Sequence, residues 1–419
     1  MAKQVQRRRQ TTANLRSVTG AVGELLVDTE RHEVLVMDGT TPGGHALPRM
    51  ADLYVRELAD LPDPVDGEIT LPSGLVVLKG TIDLGANALR LSEGTLLRGF
   101  GAARIQSSAT GGVLRCSGLD AAVVLREFSI IATGGPCLNL SGPIGHQLNV
   151  FFCGLFGASV GTVTGFDVQG FKDCFFNCAD GLSLAGTTNK VFVSGSVFYG
   201  VTGSNAGLTL DASLNASVVD IVTTFWKYES GVGIRAASGY TVGDGIIRGA
   251  LVDGDLTPLD GLAPSDVQWK MTDNTGIRDS RVAGAFWLTE SAATTISAVN
   301  TPVKIAGTTT AAALNERMSN GNNRLTYTGK RPALVAADLT FAIDADSNNQ
   351  ALNLYIARNG TVLPESVVRV RIGTGSDERN GATTALVEME TDDYLEAWVE
   401  NTTSDADVEV LALTLTARA

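Results

Sequence analysis

Four carboxylates gather in one stretch of the 419-residue chain, Glu229, Asp244, Asp253 and Asp255, just after Trp226 and Tyr228. Paired acids suit glycosidic-bond cleavage. One protonates the leaving oxygen while the other acts as nucleophile or activates water, the two lying about 5 Å apart in retaining and about 6.5–9.5 Å apart in inverting enzymes. Trp226 and Tyr228 share one parity of a strand that places Phe225 opposite, so they form a candidate exposed platform for a sugar ring, with Glu229 and Asp244 as acceptors for its hydroxyls. The same rings are enriched at protein interfaces, and contact between chains is the competing reading. Upstream the acids thin out. Between Ile130 and Val219 only Asp167, Asp173, Asp180 and Asp211 occur, in contexts such as Asp180-Gly181 that read as turns. No catalytic residue is asserted beyond the four weak candidates.

Other reactive residues point to structure. Cys174 and Cys178 are spaced C-x-x-x-C, but none of the three histidines, His32, His45 and His146, lies beside them, so no zinc site is expected. Cys116, Cys137, Cys153, Cys174 and Cys178 read as reduced core filling at strand-like spacings. Asp344-Ala345-Asp346-Ser347-Asn348 starts like a calcium loop, yet position 6 is Asn349 and position 12 is Tyr355, so a polar turn is expected. Phosphate-loop and H-E-x-x-H patterns are missing, and no cofactor or metal is expected.

The elements that carry these residues are short strands. Gly at 47, with charged residues at only 18%, describes strands joined by tight turns. Only Ala51 to Asp60 reads as a short helix. A net charge of −13 disfavours nucleic acid as a partner, Arg7-Arg8-Arg9 being the one basic cluster. No apolar run of about 20 residues offers a membrane span. No export signal is recognised at Met1 to Gln10, and folding in a cytoplasm is expected.

Three segments follow, with an all-β fold expected throughout. Residues 1–50 hold two strand-like runs, Glu24 to Val27 and Glu33 to Met37, closed by Asp38-Gly39, which read as a hairpin too small to stand alone. Residues 51–300 carry an approximate repeat. Phe128, Phe152, Phe175, Phe198 and Phe225 recur at intervals of 24, 23, 23 and 27, and Leu138-Asn-Leu140, Leu182-Ser-Leu184 and Leu208-Thr-Leu210 share one signature. That period suits one coil of a parallel β-helix. From about Thr301 to 419, longer alternating strands such as Leu352-x-Leu354-x-Ile356 and Leu411-x-Leu413-x-Leu415 predict an antiparallel β-sandwich or jelly roll.

Arg9 to Ala13, Thr19 to Leu25, Val27 to Thr29 and Val34 to Thr41 resemble the N-terminal hairpin module of phage tail fibres. Asn323 to Gly329, Leu354 to Gly360 and Trp398 to Asn401 are similar to the jelly-roll end domain of phage structural proteins, and the middle looks like the pectate-lyase-type right-handed β-helix of tailspikes. The resemblance implies a structural virion protein, a homotrimeric tail fibre or tailspike for host adsorption. Its N-terminal module would attach to other tail or baseplate proteins, and its partner at the host surface would be a glycan or a protein. It implies neither nucleic-acid binding nor membrane insertion. A polysaccharide depolymerase, hydrolase or lyase, and a head or neck fibre are the alternatives.

Overall fold

Stacking of like residues on like residues dominates the structure, a computed structural model that describes residues 8–28, 33–42, 44–46, 53–118, 122–228, 230–313, 315–374 and 377–419. Strands from Leu53–Val55 to Trp269–Thr272 pair in parallel with the strand one coil away, giving a β-solenoid of about nine turns. Each coil sends side chains inward from three strands, and register aligns them in columns. One runs from Val76 through Leu97, Leu125, Val150 and Phe171 to Met271. The second passes Ile105, Ile130, Leu155, Phe176, Phe198 and Trp226. The third holds Leu114, Leu138, Gly161, Leu182, Leu208 and Ile234. All are buried or, at Gly161, backbone, so no coil covers its apolar face without its neighbours.

One corner shows how the chain turns between two sheets. Glu127, Phe152, Asp173, Gly195, Thr223, Gly249 and Asp273 occupy successive coils with φ between 50° and 63°. A left-handed residue reverses direction in a single step, and the next residue then points inward: Phe128, Cys153, Cys174, Ser196, Thr224 and Ala250 are all buried there. The cysteines therefore do fill core. All five are free and buried, and burial pushes the Cys116 thiol up to about 11 and the Cys174 thiol up to about 12.

At the N terminus Leu25–Asp28 and Glu33–Val36 form the expected antiparallel pair, Leu26 opposite Leu35. Arg8–Gln10 adds in parallel and His45–Ala46 antiparallel, over a small core of Leu15, Leu26, Leu35 and Met37. Asp38 fixes the following turn. Its carboxylate accepts from the Thr40 and Thr41 amides (2.9 and 2.7 Å), the Thr41 hydroxyl (2.6 Å) and His45 Nε2 (2.9 Å), and these bonds, Thr41's first, hold its pKa well below the usual carboxylate range.

Two expectations need correction. The segment read as a helix, Ala51 to Asp60, contributes strand Leu53–Val55 and a single 3₁₀ turn, Leu58–Asp60, with residues 51 and 52 outside the described ones. Leu53 and Val55 pair with Val76 and Leu78 in the first coil, a gain that a ten-residue isolated helix cannot match. Antiparallel strands begin at Ala283–Glu290, ahead of the Thr301 break read from the pattern, because that strand pairs with the last one, Val408–Arg418.

The C-terminal strands build two antiparallel sheets on one core. The first runs in the order Thr308–Ala311, Ala283–Glu290, Val408–Arg418, Ala333–Ala345, Arg379–Met389; the second in the order Met318–Asn320, Leu325–Tyr327, Tyr394–Asn401, Gln350–Arg358, with Val368–Ile372 beside the last. Leu352, Leu354 and Ile356 point inward together as expected. Leu411 does not share the face of Leu413 and Leu415. The register shifts between Ala342 and Ile343, the chain bulges opposite, and Val410 is buried instead.

Candidate functional site

Trp226 and Tyr228 are not a surface platform. Trp226 is 0% and Tyr228 5% exposed. Trp226 lies in the second inward column, its ring 5.8 Å from Phe198 and 9° from parallel, and Phe198 in turn lies 4.6 Å from Phe176. The Tyr228 hydroxyl donates to the Val232 carbonyl at 2.6 Å, and burial raises its pKa. Gly207 makes room for both rings, since a Cβ there would meet the Tyr228 hydroxyl at 2.8 Å and Trp226 Cδ1 at 3.1 Å. The two residues do share one face of the strand, but it is the inward one, and Phe225 faces out.

The candidate acids are not gathered into one centre. Asp244, on Thr241–Arg248, pairs with Arg331 at 2.5 Å, while Lys330 Nζ donates to the Gly243 carbonyl at 2.8 Å, so this acid joins the solenoid to the C-terminal sheets. Asp253, on Leu251–Asp253, pairs with Lys227 at 3.3 Å. Asp255 is exposed, and Glu229 lies outside the described residues. Further up, Asp211 serves a turn as expected, accepting from the Ser213 amide (2.8 Å) and hydroxyl (2.7 Å), which lowers its pKa, whereas Asp180, read as a turn residue, lies within strand Phe175–Ala185 and accepts from the Gly181 amide there. In the C-terminal sheets, Asp344 ends a strand and Asp346 donates its amide to the Asp407 carbonyl, a polar turn.

What lies on the outer face is a different set of rings. Phe156 and Phe175 are 5.8 Å apart, and Phe175 and Tyr199 stack at 6.4 Å, 23° from parallel. Register explains it, because Phe156 sits beside Asn177 and Asn177 beside Tyr199, all pointing away from the core. Tyr199 opens onto a groove of about 550 Å³ lined by Val201, Thr202, Lys227, Ser230 and Asp253. Rings beside a cation, a carboxylate and hydroxyls can stack on an apolar ring face and hydrogen-bond a polar edge. The signal in the sequence was the aromatic doublet. Phe175-Phe176 and Phe225-Trp226 must each place one ring inside and one outside.

Residues 5–41 match the family model described as the major tropism determinant N-terminal domain. No curated protein matches the chain significantly. Among solved structures, the enzymatically active domain of tailspike protein 4 of bacteriophage CBA120 is similar over 97% of this chain and 77% of that one, at 11% identity and a TM-score of 0.21. Eiger TNF from S. frugiperda is similar over 33% of this chain and 92% of that one, at 10% identity and a TM-score of 0.24. Likenesses as remote as these two carry nothing for the function. The chain thus begins with a segment of the major tropism determinant N-terminal type, the same stretch whose motifs resemble a phage fibre module, and continues as a β-solenoid and two antiparallel sheets.

Proposed function

We propose that this chain is a homotrimeric phage tail fibre or tailspike that mediates adsorption to the host surface. The observation that carries it is the tropism-determinant segment at residues 5–41 heading a β-solenoid. Trimer assembly is supported by the outer face of the first C-terminal sheet. Leu334, Leu386 and Trp287 are exposed there, three large apolar side chains on a face that also carries Asp338, Glu388 and Arg418. The two strand orders, with the first and last long strands adjacent in one sheet, support reading this sandwich as a jelly roll. On this reading the chain divides into residues 1–50, 51–282 and 283–419, the sandwich opening with Ala283–Glu290.

Adhesion is favoured over depolymerisation because Asp244 and Asp253 serve separate ion pairs. The Tyr199 groove is the proposed contact for host glycan. Attachment to other tail proteins falls to the N-terminal segment, and assembly in the host cytoplasm is part of the proposal. Light scattering of the purified protein tests the assembly: a mass three times the 43.7 kDa of one chain is expected, and a stable monomer at micromolar concentration overturns it. Incubation with host envelope polysaccharide tests the chemistry. Retention without new reducing ends is expected, and their steady release would establish a depolymerase.

A further inference from the structure

A second groove, of about 650 Å³, opens on the outer face of the first three coils, remote in the repeat from the Tyr199 groove. It is lined by half-buried Leu75 and Val77, by the rings of Tyr54 and Phe100, and by the cations Arg56, Lys79 and Arg98. Both rings are exposed, Tyr54 by 49% and Phe100 by 66%. Register sets the spacing. Tyr54 lies beside Val77 and Val77 beside Arg98, while Lys79 lies beside Phe100, so Lys79 sits one strand spacing, about 4.8 Å, from a ring and Arg98 two spacings from the other.

Charge is the second observation. Arg98 and its neighbour one coil on, Arg126, share Glu127 (3.0 and 2.9 Å), and Arg56 reaches Asp60 at 3.6 Å. Lys79 has no ion-pair partner among the described residues. Four cations thus face two carboxylates in a chain whose net charge is −13. A purely apolar partner would cover the rings but desolvate those cations without compensation. A neutral sugar would use the rings and leave the cations idle. A pyranose with a carboxylate offers a C–H face to an aromatic ring and an anion to Lys79 and Arg98 at once.

We propose that the Tyr54–Phe100 groove binds a carboxylate-bearing saccharide, a uronate unit of an acidic surface polysaccharide. The choice of a saccharide among anions rests on the adhesion reading above; the site itself does not. The test is calorimetric titration of the full-length protein with a galacturonate hexasaccharide, with its carboxyl-reduced neutral counterpart and with a hexaglutamate peptide. The uronate is expected to bind at least tenfold more tightly than either control. Lys79→Gln weakens it about fivefold, as expected for one exposed ion pair, and Tyr54→Ala about tenfold, through the lost ring contact. Equal affinity for the neutral sugar, tighter binding of the peptide, or no uronate binding at millimolar concentration overturns the assignment. So does a change of assembly mass in Tyr54→Ala or Phe100→Ala, which would place the rings against another copy. If the uronate fails to bind while cells are still adsorbed, only the groove assignment falls. If it binds and adsorption is absent, the adhesion reading falls instead.

Discussion

Trp226→Ala should cost the solenoid about 3–5 kcal/mol, the range for removing a fully buried large aromatic side chain. The structure sets that size. The indole is 0% exposed, stacked at 5.8 Å on Phe198, and Gly207 beside it cannot fill the void. A buried Trp removes about 150–250 Å² from water, about 4–6 kcal/mol at 25 cal/mol/Å², an upper bound that agrees with this range. Phe225→Ala, one residue away and half-buried on the outer face, should cost about 1 kcal/mol or less. Stacked coils can unfold in stages, so the assay is the onset of thermal unfolding together with the rate of protease cleavage, each variant against wild type. Trp226→Ala should lower the onset and expose new cleavage sites, while Phe225→Ala should do neither. Should Trp226→Ala unfold as wild type does but lose adsorption to cells, Trp226 would be a surface residue and the inward column wrong.

Thr223 holds φ at 50° although it is β-branched, while Gly195 and Gly249 take the same corner in adjacent coils. Thr223→Asn should therefore stabilise by about 1 kcal/mol, read as a higher unfolding midpoint, with Gly249→Ala shifting it the other way. The Asp38 carboxylate has a depressed folded-state pKa, so its contribution is present above the unfolded value of about 3.9 and is lost as pH falls through the folded one. Loss of N-terminal structure below about pH 4, abolished as a pH effect in Asp38→Asn, is the expected outcome by amide exchange. Thiol titration should find five free thiols after denaturation and very slow alkylation before it at pH 8, because burial raises the Cys116 and Cys174 values to about 11 and about 12.

Much of the architecture was legible because stacking imposes a period. Leu138-Asn-Leu140, Leu182-Ser-Leu184 and Leu208-Thr-Leu210 do fall in one column, Leu182 beside Leu208, with Gly161 filling the coil between Leu138 and Leu182. The phenylalanine series was less faithful. Phe198 is inward in the second column and Phe128 inward at the corner, whereas Phe152 and Phe175 are exposed and belong to other positions of the coil. Coils differ by several residues in length, so a fixed interval slides from one position to the next. A one-residue slide turns a side chain to the other face. The same failure undid Leu411, where a bulge hidden from the alternation pattern put Val410 in the core.

The inward placement of Trp226 has the same physical origin. Large apolar residues are demanded by the inward columns, and Trp226 answers that demand as Phe176 and Phe198 do in the coils before it. Strength of aromatic signal in a solenoid therefore marks core first. Outward positions are free of that demand, so a ring placed there pays an exposure cost that stacking within the fold does not recover. Phe175 beside Tyr199, and Tyr54 and Phe100 around Lys79, are such positions. A repeat that dictates its inner columns leaves its outer ones to vary, and it is in the departures from the repeat, Lys79 opposite Phe100 and Lys227 opposite Asp253, that ligand chemistry is to be sought.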